Sequence, residues 1–174
     1  MTLKVVLFFG IYLVAKISGH GMMLNPPGRS SFWRFNKTAP INYNDNQVFC
    51  GGAYVSILQK NQNTGFYGTG IVVKTYEPGS VINVEIKITA NHLGNFKYSL
   101  CELKNFDAPE PDNCFEDLLL EDGSANYMVN GEDKTVFNKV RLPNFQCERC
   151  VLRWTYKAGK YKIVIKVIDT YVHI

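Results

Sequence analysis

The chain has 174 residues, of which 46% are hydrophobic and 20% charged, with a formal net charge of +4. That composition is globular, and its length suits one domain able to bury a core. Two of the lysines, Lys4 and Lys16, lie in an amino-terminal leader whose removal halves the net charge, and the remaining Lys and Arg are scattered. Such a balance argues for neither nucleic acid nor acidic lipid as a partner.

The leader shows a basic residue, Lys4, an apolar run from Val5 to Ala15, and the small pair Ser18-Gly19. This order is that of a cleaved secretory signal. The run is too short for a transmembrane helix, which needs about 20 apolar residues. Residues 1–19 are therefore read as a signal peptide and residues 20–174 as a secreted, non-membrane domain whose first residue is His20. Five cysteines, at 50, 101, 114, 147 and 150, are expected to form disulfides in an exported chain, with at least one left over. Their pairing is open; Cys101 with Cys114 is the candidate local bridge. Cys147 and Cys150 form half of a zinc pattern, but the chain lacks a second CxxC.

After the leader come about fifty residues rich in Asn, Pro, Gly and Ser, expected to be long loops packed by Phe32, Trp33 and Phe35. Asn36-Lys37-Thr38 is an N-glycosylation acceptor sequence within them. Ile71 to Tyr76 is β-branched and precedes the turn cluster Glu77-Pro78-Gly79-Ser80, so it reads as a strand pairing with the next run. That run, Val81 to Thr89, alternates strictly: Ile82, Val84, Ile86 and Ile88 share one face, and Asn83, Glu85, Lys87 and Thr89 the other. It is a half-buried strand. Phe96, Tyr98 and Leu100 continue the period of two. Residues 105–133 are acidic and loop-like, and Glu102, Asp107, Glu110, Asp112, Glu116 and Asp117 are expected to form a solvated face rather than a glycosidase pair. Thr135 to Leu142, Val151 to Tyr156 and Tyr161 to Ile168 complete the strands, with Lys157 to Lys160 as the last turn. Neither a helical period nor a repeat is present. Short strands punctuated by turns make an all-β sandwich with long loops the expected fold.

Two of the three histidines are the candidates for chemistry. A free amino-terminal His20 offers a metal its α-amine and its ring Nδ1, closing a compact chelate ring that an internal histidine cannot form. These groups titrate near 8 and near 6.5, so a metal displaces both protons at modest cost around neutral pH. His92, in "ITANHLG", follows the alternating strand at the rim of a sheet and is the candidate third nitrogen. His173, the penultimate residue, is expected to fray. A site of three nitrogens with open positions prefers copper, and the spacing leaves open the alternative that His20 stands at the cut by accident and His92 is an ordinary polar loop residue.

The stretches "HGMMLNPPGRSSFWRF" (20–35), "NYNDNQVFCGG" (42–52), "GIVVKTYEPGSVINVEIKITANHLGNFKYSLC" (70–101) and "VRLPNFQCERCVLRWTYKAG" (140–159) resemble the lytic polysaccharide monooxygenases, most closely the insect-type branch, auxiliary-activity family fifteen. The resemblance implies an immunoglobulin-like or fibronectin-III-like β-sandwich holding one copper ion through the amine and ring of His20 and the ring of His92. Ala90 matches the small residue beside the open copper position. An external electron donor would reduce the copper, which would then activate oxygen or hydrogen peroxide to oxidise a C–H bond next to a glycosidic link. The implied partner is a solid polysaccharide, chitin or cellulose, and the implied state a monomer. Two departures stand out. The segment between Gly52 and Gly70 is shorter than in the family and lacks a partner for Cys50. The ending "KYKIVIKVIDTYVHI" replaces a disulfide-rich loop and a last strand bearing an aromatic residue on the axial side of the copper. Tyr161 and Tyr171 are available there, and residues 160–174 are either a substitute final strand or the end of an incomplete fold. The alternative to an enzyme is a non-catalytic chitin-binding or copper-binding module.

Overall fold

The computed structural model describes residues 20–43, 60–159 and 164–174. The leader, Cys50 and Tyr161 lie outside them. Among the described residues the strands are β1 (His20–Asn25), β2 (Lys74–Thr75), β3 (Val81–Ala90), β4 (Asn95–Glu102), β5 (Glu116–Leu118), β6 (Tyr127–Met128), β7 (Thr135–Arg141), β8 (Cys150–Lys157) and β9 (Val164–His173). They form two sheets. The smaller has the order β1-β3-β7 and the larger β2-β9-β8-β4-β5, with β6 also pairing with β4. Apart from the parallel β2–β9 pair, all these pairings are antiparallel. The result is the expected all-β sandwich.

The alternation of β3 explains the smaller sheet. Ile82, Val84, Ile86 and Ile88 are buried against the larger sheet, while Asn83, Lys87 and Thr89 face water. β7 repeats the pattern with Val136, Asn138 and Val140 inward. Opposite them stand Phe96, Tyr98 and Leu100 of β4 and Leu152, Trp154 and Tyr156 of β8. One polar contact crosses this core: the Tyr98 hydroxyl donates to Asn138 Oδ1 at 2.8 Å. At one end of the core Phe96 meets Trp154 and Tyr156 edge-on, each at 5.0 Å between ring centroids.

The larger sheet is covered on both faces. Its outer side carries a second apolar cluster of Cys101, Leu103, Val151 and Tyr171, roofed by Val72, Phe106, Cys114 and Phe115. A sheet buried on both faces loses the clean alternation of a one-sided sheet, which is why β8 is buried almost continuously. The Cys101–Cys114 disulfide ties the roof to β4. A second disulfide joins Cys147 to Cys150, so these sulfurs are not zinc ligands.

Several expectations change. Ile71 to Tyr76 contributes only Lys74–Thr75 as strand, and it pairs with Val172 and His173 of β9 rather than with β3. The turn at Glu77–Ser80 therefore crosses between sheets, with Gly79 at φ +71°. His20–Asn25, expected as loop, is a strand on the free edge of β3. The acidic region contains β5 and β6. Phe35, expected to pack its loop, is 57% exposed. Glu110, expected in a solvated face, is buried on Arg29. The unfamiliar ending supplies β9, which pairs with β8 from Cys150↔Val172 to Lys157↔Val164. A final strand thus covers the edge of β8 that would otherwise be open. It runs later in the sequence than Tyr161 to Ile168 because Asp169, Thr170, Tyr171 and Val172 are all buried. His173 accordingly lies inside a strand, its carbonyl accepting from Tyr76 N–H at 2.9 Å, rather than fraying.

Candidate metal centre

His20, the first residue of β1, is the cross-strand partner of Ala90, the last residue of β3. The register slips between His20 and Gly21, so that Gly21 faces Ile88. Gly21 permits this close approach: a Cβ there would stand 2.9 Å from the Lys87 carbonyl oxygen and 3.3 Å from the Trp154 ring. Any larger residue would push the start of β1 off the sandwich. Pairing with Ala90 therefore brings the backbone of His20 to the end of β3 from which His92 follows two residues later.

His92 itself lies in the irregular segment 91–94 between β3 and β4. Its backbone is held by the end of β8: His92 N–H donates to the Tyr156 hydroxyl at 2.9 Å, and its carbonyl accepts from Gly159 N–H at 3.3 Å. Gly94, at φ +94°, packs its backbone onto the same turn, since a Cβ there would overlap the Lys157 carbonyl oxygen. Tyr156 is fully buried. Burial raises its pKa, the hydrogen bond from His92 N–H opposes the rise, and the charge of Asp133 adds to it. The group that steadies His92 is thus a neutral phenol at physiological pH.

The remaining residues singled out in the sequence fall elsewhere. His173 lies at the opposite end of β9, opposite Thr75. Tyr171 pairs with Val151, far along β8 from Tyr156, and its hydroxyl donates to Asn63 Oδ1 at 2.7 Å. Asn36 accepts at Oδ1 from both Thr38 N–H (2.9 Å) and the Thr38 hydroxyl (2.8 Å), in a loop where Lys37 and Thr38 are exposed. Glu110 is engaged by Arg29, and Asp112 and Asp117 pair with Arg153 and Lys97. Sequence reasoning passed over Tyr156, because nothing in "RWTYKAG" marks which tyrosine will meet a backbone amide 64 residues away.

Among the described residues no three His, Cys, Asp or Glu gather into a group able to hold a metal ion. Two imidazoles completed by a terminal amine would not form such a group. The donors that His20 and His92 would offer suit copper: ring nitrogens and an amine, with no carboxylate or thiolate among them to favour a harder or softer ion. In the full chain nineteen residues precede His20, so its α-amine would be free to bind a metal only once the Gly19–His20 bond is cut.

The sequence family described as lytic polysaccharide mono-oxygenase, cellulose-degrading, matches residues 20–169. Among solved structures, an AA15 lytic polysaccharide monooxygenase from Thermobia domestica in the Cu(I) state is 27% identical, with a TM-score of 0.76 over 89% of this chain and 97% of that one. An AA10 enzyme from Streptomyces lividans shares the fold at 13% identity and a TM-score of 0.63, covering 89% of this chain and all of its own. The cellulose-active CelS2 in complex with copper does so at 12% identity and a TM-score of 0.57, covering 88% of this chain and 98% of its own. No curated protein matches significantly. On these grounds the chain belongs to the lytic polysaccharide monooxygenases and is AA15-like.

Proposed function

We propose that the chain is secreted, is cut before His20, and as one domain spanning residues 20–174 uses a single copper ion to break glycosidic links oxidatively in chitin, with cellulose as the other candidate substrate. The amine and ring of His20 and the ring of His92 would hold the ion. The observation that carries this is the His20↔Ala90 register, which delivers the start of β1 to the end of β3 that leads into His92. The family match, beginning at residue 20, supports the same first residue. When bound, copper would supply the one-electron and oxygen chemistry that no side chain can provide.

The chain's own residues do the positioning. Gly21 lets β1 close on the sandwich, Ala90 pairs with His20 across the strands, and Tyr156 with Gly159 fixes the backbone of His92. Two exposed aromatic rings on the first long loop support binding to a solid polymer: Phe35 is 57% and Tyr43 79% exposed, and Tyr43 meets the partly buried Trp33 edge-on at 5.5 Å.

A second reading, a copper-binding module without catalysis, is favoured by one feature. The half of β9 that pairs with Trp154–Lys157 is Val164 to Ile168, which contains no aromatic residue, whereas the resemblance implies one on the last strand. Copper-loaded protein incubated with ascorbate and chitin or cellulose should release oxidised oligosaccharides. Copper binding without such products, beside an active control enzyme, would assign the module instead.

A further inference from the structure

Four hydrogen bonds from one side chain span the segment that carries His92. Asn91 Nδ2 donates to the carbonyls of Asn130 at 2.7 Å, Asp133 at 3.1 Å and Gly131 at 3.3 Å. Asn91 Oδ1 accepts from Leu93 N–H at 2.8 Å, reaching across His92. An amide has only two N–H donors, so three carbonyls converging on one nitrogen make a shared, saturated contact.

The loop receiving these bonds is itself braced. Asp133 Oδ2 accepts from Asn130 N–H at 2.8 Å and from the Tyr127 hydroxyl at 3.0 Å, and Val129 N–H donates to the Gly94 carbonyl at 2.9 Å. Residues 91–94 have no strand partner, and Leu93 and Gly94 both have positive φ, at 54° and 94°. A non-glycine residue holds such a conformation only when its surroundings enforce it. Asn91 enforces it from the 130–133 side, and Tyr156 with Gly159 from the β8 side.

We infer that Asn91 is a positioning residue for the metal centre: its amide locks the His92 segment to the 130–133 loop and so fixes where the His92 ring stands relative to His20. This role rests on the two-histidine copper site proposed above. It also separates two functions of a single side chain. The Oδ1 contact to Leu93 shapes the local turn, and the Nδ2 contacts set the position of that turn on the sandwich. Two substitutions separate them. Asn91→Ala removes both. Asn91→Ser retains an oxygen able to accept from Leu93 N–H, as serine does in local turns, but cannot reach the 130–133 carbonyls.

The test uses the full chain, secreted and processed, as wild type, Asn91→Ala, Asn91→Ser and a control, Tyr98→Phe, which loses its core hydrogen bond to Asn138 and none of the Asn91 hydrogen bonds. Each is titrated with Cu(II) by calorimetry, its Cu(II) electron paramagnetic resonance spectrum is recorded, and its thermal midpoint is measured. Loss of an outer support of a metal ligand typically weakens binding about 10–100-fold, and both Asn91 variants should weaken copper binding by that order and change the spectrum. The Tyr98→Phe control should lower the midpoint yet leave affinity and spectrum unchanged. Should Asn91→Ala fail to fold, Asn91→Ser decides. Wild-type affinity and spectrum in a folded Asn91→Ser protein would overturn the inference while leaving the copper site standing. Loss of copper affinity in the Tyr98→Phe control in step with its midpoint would also overturn it, because general stability would then explain the effect. A wild-type protein without a nitrogen-rich Cu(II) spectrum would remove the copper site itself.

Discussion

Arg29 Nη1 lies 2.6 Å from Glu110 Oε1, with the two side chains 2% and 0% exposed. The same nitrogen donates to the Asn61 carbonyl at 2.7 Å, Glu110 Oε2 accepts from Asn63 N–H at 2.7 Å, and the guanidinium lies 3.9 Å over the Tyr171 ring. Arg29 N–H also donates to the Asp169 carbonyl at 2.8 Å. The loop after β1, the segment near residue 60, the 105–115 roof and β9 are thus joined at one buried ion pair on the outer side of the larger sheet. Removing one partner of a buried pair leaves the other charge poorly compensated, here by Asp169 Oδ2 at 3.9 Å from Arg29 Nη1, so Glu110→Ala should destabilise the protein by up to about 3–5 kcal/mol. Glu110→Gln, which can still accept a hydrogen bond, should cost less. Urea unfolding at neutral pH measures both; a loss below about 1 kcal/mol for the alanine variant would mean that the pair is as weak as an exposed one.

The Tyr98–Asn138 bond is the corresponding polar contact between the two sheets. Tyr98→Phe leaves Asn138 Oδ1 buried without that donor and should cost about 1–3 kcal/mol. Replacing both residues, by Phe and Leu, removes the stranded acceptor and should recover part of the loss. A double-mutant cycle in denaturant that gives strict additivity would show that the two side chains do not interact.

Two tyrosines should make the fold alkali-sensitive. Burial pushes Tyr76 from 10.0 up to about 12, and it pushes Tyr171 to about 12 as well, with Arg29 opposing and Glu110 reinforcing the rise. A phenol whose pKa is higher when folded favours the folded state while protonated. That contribution is complete below pH 10 and is lost as the pH climbs from about 10 to about 12. The Tyr76 hydroxyl has no hydrogen-bond partner among the described residues, so Tyr76→Phe sacrifices no bond. Unfolding free energy measured against pH should fall less steeply over that window in Tyr76→Phe than in wild type, and phenolate absorbance should show one late-titrating group fewer.

The amino terminus offers a sharper test of the metal centre. A variant processed to leave one alanine ahead of His20 keeps both imidazoles but moves the free amine off the histidine. Its copper affinity should fall by at least the ~10–100-fold that loss of a supporting group costs, as measured by calorimetry. Mass spectrometry of the secreted wild type should give His20 as its first residue.

Much of this molecule was legible in the sequence because local patterns report local constraints. The period of two in Val81–Thr89 required one dry face, and Ile82, Val84, Ile86 and Ile88 occupy it. The resemblance carried by "HGMML" and "TANH" pointed to the family and to His20, Ala90 and His92 together. Where a strand is buried on both sides the pattern disappears, so β1 went unread and the extent of β9 was misplaced. The acidic run hid Glu110 for a related reason: composition predicts solvent for carboxylates, and only the arrival of Arg29 from 81 residues away reverses that.

The sequence by itself determined the sandwich, through alternating strands and turn residues, and the donor types available to a metal. Tertiary structure alone decided which strand faces which, that His20 pairs with Ala90, and that Asn91 and Tyr156 grip the segment between β3 and β4. Those facts depend on contacts between residues dozens of positions apart, and their geometry exists only once the sheets have packed.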